Sequence, residues 1–195
     1  MPKIDIKPKR FAEILDAAAE IFAEKGYHGA STTDIADKLG IKQAGLYYYF
    51  KSKDSALAEV CRLGVQGYVE RLVTISQSEL SADQKIRAAI REHLQPFHHI
   101  RNHVRVFQSE RRYLAGENRS EVNKLARKYE RELRRLFEAG VAAGEFRQNL
   151  DCKLTTLALL GMCNSVTIWY DGKSEKQILK IADNYADIII GGVVK

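Results

Sequence analysis

The sequence predicts an all-α protein built from a small helical module and a larger helical domain. Its 195 residues include only three prolines, Pro2, Pro8 and Pro96, so long uninterrupted helices are expected. Apolar residues recur every three or four positions, and no alternating apolar and polar run typical of a strand stands out. The length is sufficient for one small module and one larger domain.

The first helix is predicted over residues 9–25, where apolar residues form one face, and Gly26 and Gly29 end it. Pro96 should bend or break the helix in which it lies. Further helices are predicted over residues 54–76, 81–97, 104–113, 121–140, 154–170 and 174–193.

Residues 31–53 contain two short helical patterns separated by a glycine turn. Ser31 is a good N-cap, and Asp34 follows at the spacing of a capping box. Gly40 stands where a helix often ends with a positive φ angle. Two helices joined by a short turn that contains glycine are typical of a DNA-reading helix-turn-helix.

The second of these helices is predicted over residues 42–49, with Leu46 and Phe50 facing inward. The outer faces carry Gln43, Ala44, Tyr47 and Tyr48. Since Ala44 and Gly45 are small, the helix backbone is able to lie deep in a major groove. Near its start, the amide of Gln43 has the groups for a bidentate contact with adenine.

Other side chains of this segment suit the DNA backbone. Lys42 suits a phosphate or a guanine edge, and the hydroxyls of Tyr47 and Tyr49 suit phosphate oxygens, which position a protein without reading sequence. The ring of Tyr48 has the shape to pack on a thymine methyl group. Lys51 and Lys53 add positive charge just beyond the helix.

A helix–glycine–helix segment also occurs in many all-α proteins that do not bind DNA, but the residues at the end of this one are specific. Tyr47, Phe50, Lys51 and Lys53 lie in the run YYYFKSKD, which resembles the end of the DNA-binding domain in the TetR family of bacterial repressors. The resemblance extends over residues 9–58 without a gap. Together, the pattern and the resemblance predict DNA contacts by Lys9, Ser31, Thr33, Lys42, Gln43, Ala44, Gly45, Tyr47, Tyr48, Tyr49 and Lys53.

Two positions depart from the family pattern. Many members have His where Tyr49 stands, and Thr or Ser where Gly45 stands. Either difference can change which phosphate or base is touched, and neither affects the predicted fold.

The resemblance implies a DNA-binding domain over residues 1–53 and a ligand-binding and dimerisation domain over residues 54–195. Residues 154–170 are apolar almost all round, and a helix of that kind must be buried on every side. A partner subunit or a core within one chain would achieve this. We expect a homodimer, whose two-fold symmetry matches a palindromic double-stranded operator.

Positive charge is concentrated in residues 101–135, which hold eleven Arg or Lys against five Glu. Arginine is well shaped to bind phosphate and carboxylate, so this segment suits a polyanionic small-molecule inducer such as an acyl-CoA. A solvated helix face is the structural alternative, and Glu121, Glu130 and Glu132 favour it for many of these arginines.

A second, more dispersed resemblance concerns the C-terminal part. The segments FQSERR, GEFR and WYDG are similar to those of TetR-type repressors of lipid and sterol-ring degradation, a subgroup that responds to CoA thioesters. The basic segment and this resemblance imply an acyl-CoA effector rather than a resident cofactor. The predicted ligand-binding residues are Arg105, Arg111, Trp169 and Lys173.

Other function classes fit less well. A regulator of drug or antibiotic efflux would want an acidic, aromatic pocket for hydrophobic cations, and the basic segment argues against it. No enzyme motif such as GxSxG or a phosphate-binding loop is present. The three cysteines lack CxxC spacing and suit reduced thiols in a cytoplasmic protein, and the histidines suit structural or pocket-lining roles rather than a metal site. No membrane segment is expected.

Overall fold

In the computed structural model, residues 6–95, 100–170 and 174–194 are described, with side chains from residue 9 onward. These residues form helices joined by turns, as predicted, with no strand among them. Within these described ranges, no helix is long and apolar enough to cross a membrane. The helices are α1 (Ile6–Gly29), α2 (Thr32–Lys38), α3 (Gln43–Leu46), α4 (Lys53–Ser76), α5 (Ala82–Leu94), α6 (Arg101–Glu110), α7 (Gly116–Ala142), α8 (Cys152–Trp169) and α9 (Glu175–Val193).

Several helix ends differ from the sequence prediction. The helix predicted over residues 42–49 stops at Leu46, because the amide of Tyr49 bonds to the Leu46 carbonyl three residues back and tightens the chain into a turn. The last turn of the helix predicted over residues 104–113 is likewise a 3₁₀ turn. α7 begins at Gly116, because its polar first turns continue the helix ahead of the first apolar residue.

The chain divides into two compact units. The N-terminal unit comprises residues 1–65 and 102–123, and the C-terminal unit comprises residues 66–101 and 124–195. The domain boundary predicted after residue 53 divides the chain by function, whereas these two units divide it by packing. The functional boundary stays a prediction.

The N-terminal unit has an apolar core to which α1 to α4 contribute, as the spacing of their apolar residues predicted. α6 joins this unit through Val106 and passes very close to α4 at Gly64. A Cβ atom on Gly64 would lie 2.8 Å from the His103 carbonyl oxygen, so this approach requires glycine. The largest buried side chains of this core are Phe22, Ile14, Leu15, Ile35, Leu46 and Leu57.

The C-terminal unit is organised around α5, which packs against α8 and α9. Two ion pairs link α5 to α9 at the surface, Arg87 to Asp187 at 2.6 Å and Arg91 to Asp183 at 2.7 Å. Surface pairs of this kind contribute little to stability, so burial of apolar side chains must hold the unit together.

A buried hydrogen-bond network lies inside the C-terminal unit. His93 Nδ1 is 2.9 Å from the hydroxyl of Tyr129, and His93 Nε2 is 3.2 Å from Asn164 Oδ1. Since an amide oxygen only accepts, Nε2 carries the proton and Nδ1 accepts from the tyrosine. Burial disfavours the imidazolium and lowers the pKa of His93 to about 4.

This lowered pKa predicts loss of stability in mild acid. Above pH 6.5 the ring is neutral in both states, but below it the unfolded chain binds a proton that the folded chain does not take up until about pH 4. The free energy of unfolding should therefore fall as the pH drops from about 6.5 towards 4. In urea titrations at several pH values, His93→Gln should make this fall shallower by up to about 1.4 kcal/mol per pH unit.

The exposed His28 provides the control, and His28→Gln should leave the steepness of the fall near that of the wild type. Equal slopes for His93→Gln and the wild type would contradict the prediction.

Candidate nucleic-acid interface

The start of α2 is fixed by the predicted capping box. Ser31 Oγ accepts a hydrogen bond from the Asp34 amide at 3.1 Å, and the Asp34 carboxylate accepts from the Ser31 amide at 2.8 Å. Hydrogen bonds from Lys25 and Ser31 lower the pKa of Asp34 to about 2, so the carboxylate remains charged at neutral pH. Gly40 follows α2 with φ of 63°, as predicted.

The turn at Gly40 directs α3 so that one side is buried and the other is exposed. Leu46 and Phe50 lie in the core, as predicted. Gln43, Ala44 and Gly45 are exposed together on the opposite side. α3 therefore presents one amide and two small residues to solvent.

Three consecutive tyrosines continue this exposed side with different degrees of burial. Tyr47 is half exposed and Tyr48 is 70% exposed. Tyr49 is partly buried, because its ring stacks on Phe11 with centroids 6.2 Å apart. Tyr48 packs edge-on against Tyr49 at 5.2 Å, so the packed ring supports the exposed one.

Thr32 connects α2 to α3, a role that sequence patterns did not reveal. Its hydroxyl oxygen accepts a hydrogen bond from Gln43 Nε2 at 2.7 Å and lies 3.5 Å from the hydroxyl of Tyr47. The two bonded residues are eleven positions apart, and no short periodicity signals such a pairing. Only the angle between the two helices brings them together.

Lys53 has an intramolecular role in addition to its predicted DNA contact. Its ammonium donates hydrogen bonds to the carbonyl oxygens of Tyr27 at 2.8 Å and Ala30 at 2.9 Å, and it lies 4.5 Å from the Tyr27 ring centroid. Two of its three N–H donors are therefore occupied at the end of α1. One donor remains for a phosphate.

A surface cleft of about 380 Å³ lies beside these groups, between the start of α2 and the start of α4. Lys51 and Lys53 place positive charge on its wall. Lys9, Thr33 and Lys42 are exposed, whereas the hydroxyl of Ser31 is engaged in the cap. The cleft is lined by Ala30, Ser31, Thr32, Tyr47, Lys51, Ser52 and Lys53.

The predicted ligand-binding residues are distributed between the two units. Arg105 is exposed and Arg111 lies 4.6 Å from the Phe107 ring centroid, both in the N-terminal unit. Trp169 is half exposed in the C-terminal unit, and Lys173 is outside the described residues. The described part of the chain contains no group of three or more His, Cys, Asp or Glu side chains placed to hold a metal ion.

The contacts of Lys53 predict a structural effect that neighbouring lysines lack. Lys53→Met leaves the carbonyls of Tyr27 and Ala30 without their charged donor and should lower the free energy of unfolding by about 1.5–3 kcal/mol. Lys51→Met, at an exposed position two residues earlier, should change it by less than about 0.5 kcal/mol. Urea unfolding of both variants measures the difference, and equal stabilities would refute the structural role of Lys53.

Comparison with known families matches most of the chain. Residues 14–60 match the model described as "Bacterial regulatory proteins, tetR family", which covers α2, α3 and the cleft. Residues 79–193 match the model described as "Tetracyclin repressor-like, C-terminal domain".

Similar proteins cover almost the whole chain. A fatty acid metabolism regulator protein of Bacillus subtilis is 25% identical over 96% of this chain and 97% of its own length. The transcriptional repressor KstR2 of Rhodococcus jostii is 28% identical over 96% of this chain and 92% of its own. The structure of FadR from Bacillus subtilis in complex with stearoyl-CoA has a TM-score of 0.76 at 25% identity, covering 93% of this chain and 98% of that one. This chain therefore belongs to the TetR family of bacterial transcriptional regulators.

Proposed function

We propose that this protein is a transcriptional repressor that binds a palindromic operator as a homodimer and is released by an acyl-CoA thioester. The exposed ridge of Gln43, Ala44, Gly45, Tyr47 and Tyr48 on a buried helical support is the observation that carries the proposal. These side chains are polar, small or aromatic, and the described residues of the N-terminal unit leave them exposed. A major groove admits a helix of this kind, and its base edges match an amide.

Phosphate contacts would come from the margins of the ridge. Lys42, Lys51 and Lys9 supply positive charge, and Thr33 and Tyr47 supply hydroxyl groups. Such contacts set register and affinity, whereas Gln43 is placed to read a base. Each ammonium that neutralises a phosphate should steepen the slope of the logarithm of the binding constant against the logarithm of the salt concentration by about 0.9.

Dimerisation is supported by an apolar stripe on α8. Leu154, Leu157, Gly161 and Ile168 follow one another at spacings of three, four and seven residues, which places them on one helix face. The three apolar side chains are exposed, Ile168 to 85%, and a Cβ on Gly161 would meet nothing within 4 Å. Ile188 on the adjacent α9 is 57% exposed. Pairing these faces with those of a second copy would give a four-helix interface.

The charge of the middle segment supports an anionic effector. Glu132 and Glu138 pair with Arg131, Arg134 and Arg135, so the solvated-face interpretation accounts for these arginines. Arg105 and Arg111 have no carboxylate partner among the described residues. Guanidinium groups of this kind suit the phosphates of CoA. Because the structure of a similar protein, FadR from Bacillus subtilis, contains stearoyl-CoA, acyl-CoAs are the first ligands to test.

Release requires that effector binding alters the N-terminal unit, and α6 offers a route. Glu110, at the end of α6, accepts a hydrogen bond from the Tyr27 amide at 2.7 Å, and Tyr113 stacks on the Tyr27 ring at 5.7 Å. An effector that favours another position of this segment would shift the end of α1. It would weaken DNA binding only by the difference in its affinity for the two states.

The proposal is tested first by selecting duplex DNA from a randomised pool with the purified protein at low salt. The expected site is palindromic, with half-sites about one helical turn, or a multiple of it, apart. Acyl-CoAs of several chain lengths are then titrated into the complex, with free CoA and free fatty acids as controls. Release by an acyl-CoA at concentrations where the controls are inactive is expected.

In the same titration, Arg105→Gln and Arg111→Gln should each raise the acyl-CoA concentration needed for release by about tenfold, because each removes a charged donor. Arg135→Gln changes an exposed arginine that pairs with Glu132 on the solvated face of α7 and is the matched control. Failure of every acyl-CoA to release DNA would reject the effector, and failure to select any duplex would reject the repressor itself.

Oligomeric state tests the apolar stripe. Ile168→Glu places a carboxylate at the most exposed apolar side chain of the proposed interface and should convert a dimer into a monomer in sedimentation velocity experiments. Ala139→Glu puts the same group on an exposed position of α7 and should leave the dimer intact. A wild-type monomer, or an Ile168→Glu dimer of unchanged affinity, would count against this interface.

A further inference from the structure

The amide of Gln43 is held in one orientation before any DNA is bound. Its Nε2 donates to Thr32 Oγ1 at 2.7 Å, across the gap between the first residue of α3 and the first residue of α2. The hydroxyl of Tyr47 lies 3.5 Å from the same oxygen, so Thr32 stands at the centre of a three-residue group. A free glutamine side chain has several rotamers and loses entropy when it binds, and this bond removes part of that cost in advance.

The hydrogen bond to Thr32 also changes what the amide has left to offer. A glutamine amide has two N–H donors and one carbonyl acceptor. After one N–H has been given to Thr32, Gln43 retains one donor and one acceptor. Adenine presents one acceptor, N7, and one donor, the N6 amino group, in the major groove, so the remaining groups match it.

Guanine does not match the same arrangement. Its major-groove edge presents two acceptors, N7 and O6, and therefore requires two donors. An amide already bonded to Thr32 has only one N–H left, and its carbonyl oxygen would face a guanine acceptor. An amide without that bond is able to turn and present both of its N–H groups.

On this basis we infer that Thr32 is a positioning residue that makes Gln43 prefer adenine to guanine. The inference rests on the proposed DNA binding and adds the chemical basis of its base preference. Thr32 acts through the orientation of another side chain and needs no base contact of its own.

The local fold does not depend on this hydroxyl. The start of α2 is capped by Ser31 and Asp34, and the helix pair is held by the buried side chains of Ile35 and Leu46. Thr32→Val keeps the shape and the β-branch of the side chain and replaces the hydroxyl with a methyl group. The variant should therefore fold, with a circular dichroism spectrum and a melting temperature close to those of the wild type.

The experiment uses the full-length protein and the duplex that the wild type selects from a randomised pool. The base pair read by Gln43 is the one whose substitution no longer matters in Gln43→Ala. At that pair, the wild-type ratio of affinities for adenine and guanine is expected to be tenfold or more. Thr32→Val should reduce this ratio about five- to tenfold, and Thr32→Ser, which retains the hydroxyl, should restore it.

Thr33→Val is the matched control, because it removes an exposed hydroxyl from the next position of α2. It should weaken binding to both duplexes equally and leave their ratio unchanged. The double variant Thr32→Val with Gln43→Ala should show the same ratio of affinities for the adenine and guanine duplexes as Gln43→Ala alone, since Thr32 acts only through Gln43.

The inference is overturned if Thr32→Val keeps the wild-type ratio, if Thr32→Ser fails to restore it, or if the double variant loses further discrimination. Those results leave the proposed repressor function intact, because the wild type still binds its selected site. Absence of any selected duplex for the wild type would instead refute the proposed function.

Discussion

The N-terminal unit depends on how it satisfies the backbone groups exposed by the break in α1. Gly26 has φ of 66° and ψ of 170°, which interrupts the helix and frees an amide and two carbonyls near its end. Glu110 accepts from the Tyr27 amide, and Lys53 donates to the Tyr27 and Ala30 carbonyls. Because Glu110 ends α6 and Lys53 begins α4, one short stretch of backbone fixes where both of these helices meet α1.

The proposed DNA-reading ridge depends on the same stretch of backbone. Ser31, which caps α2, follows Ala30 directly, so the position of the Ala30 carbonyl sets where α2 begins. The cap and the turn at Gly40 then set the direction of α3. Gln43, the proposed reading side chain, is therefore supported by rigid elements and by a hydrogen bond to Thr32, as precise recognition requires. This chain of contacts also explains why an effector that displaces α6 would be felt at the DNA.

The features that the sequence could predict are those determined by neighbouring residues. The capping box at Ser31, the positive φ of Gly40 and the burial of Leu46 each follow from signals within four residues, and the structure confirms them. The bond between Glu110 and Tyr27 spans 83 positions, and the bond between Thr32 and Gln43 spans eleven. Such pairs are created by helix packing, which no local pattern encodes. The early end of α3 belongs to the same class, since an apolar spacing does not distinguish a helix from a tight turn.

The distribution of charge shows why the orientation of Gln43 should matter for this protein. Lys25 and Lys38 are paired with Asp34 and Glu20, so much of their charge is neutralised before DNA arrives. In the proposed complex with DNA, phosphate contacts would then come mainly from the exposed lysines near the ridge. We therefore expect base contacts to supply a larger share of the protein's selectivity for DNA sequence. By the inference above, the amide of Gln43 would supply that selectivity at little entropic cost, because its hydrogen bond to Thr32 forms during folding rather than during binding.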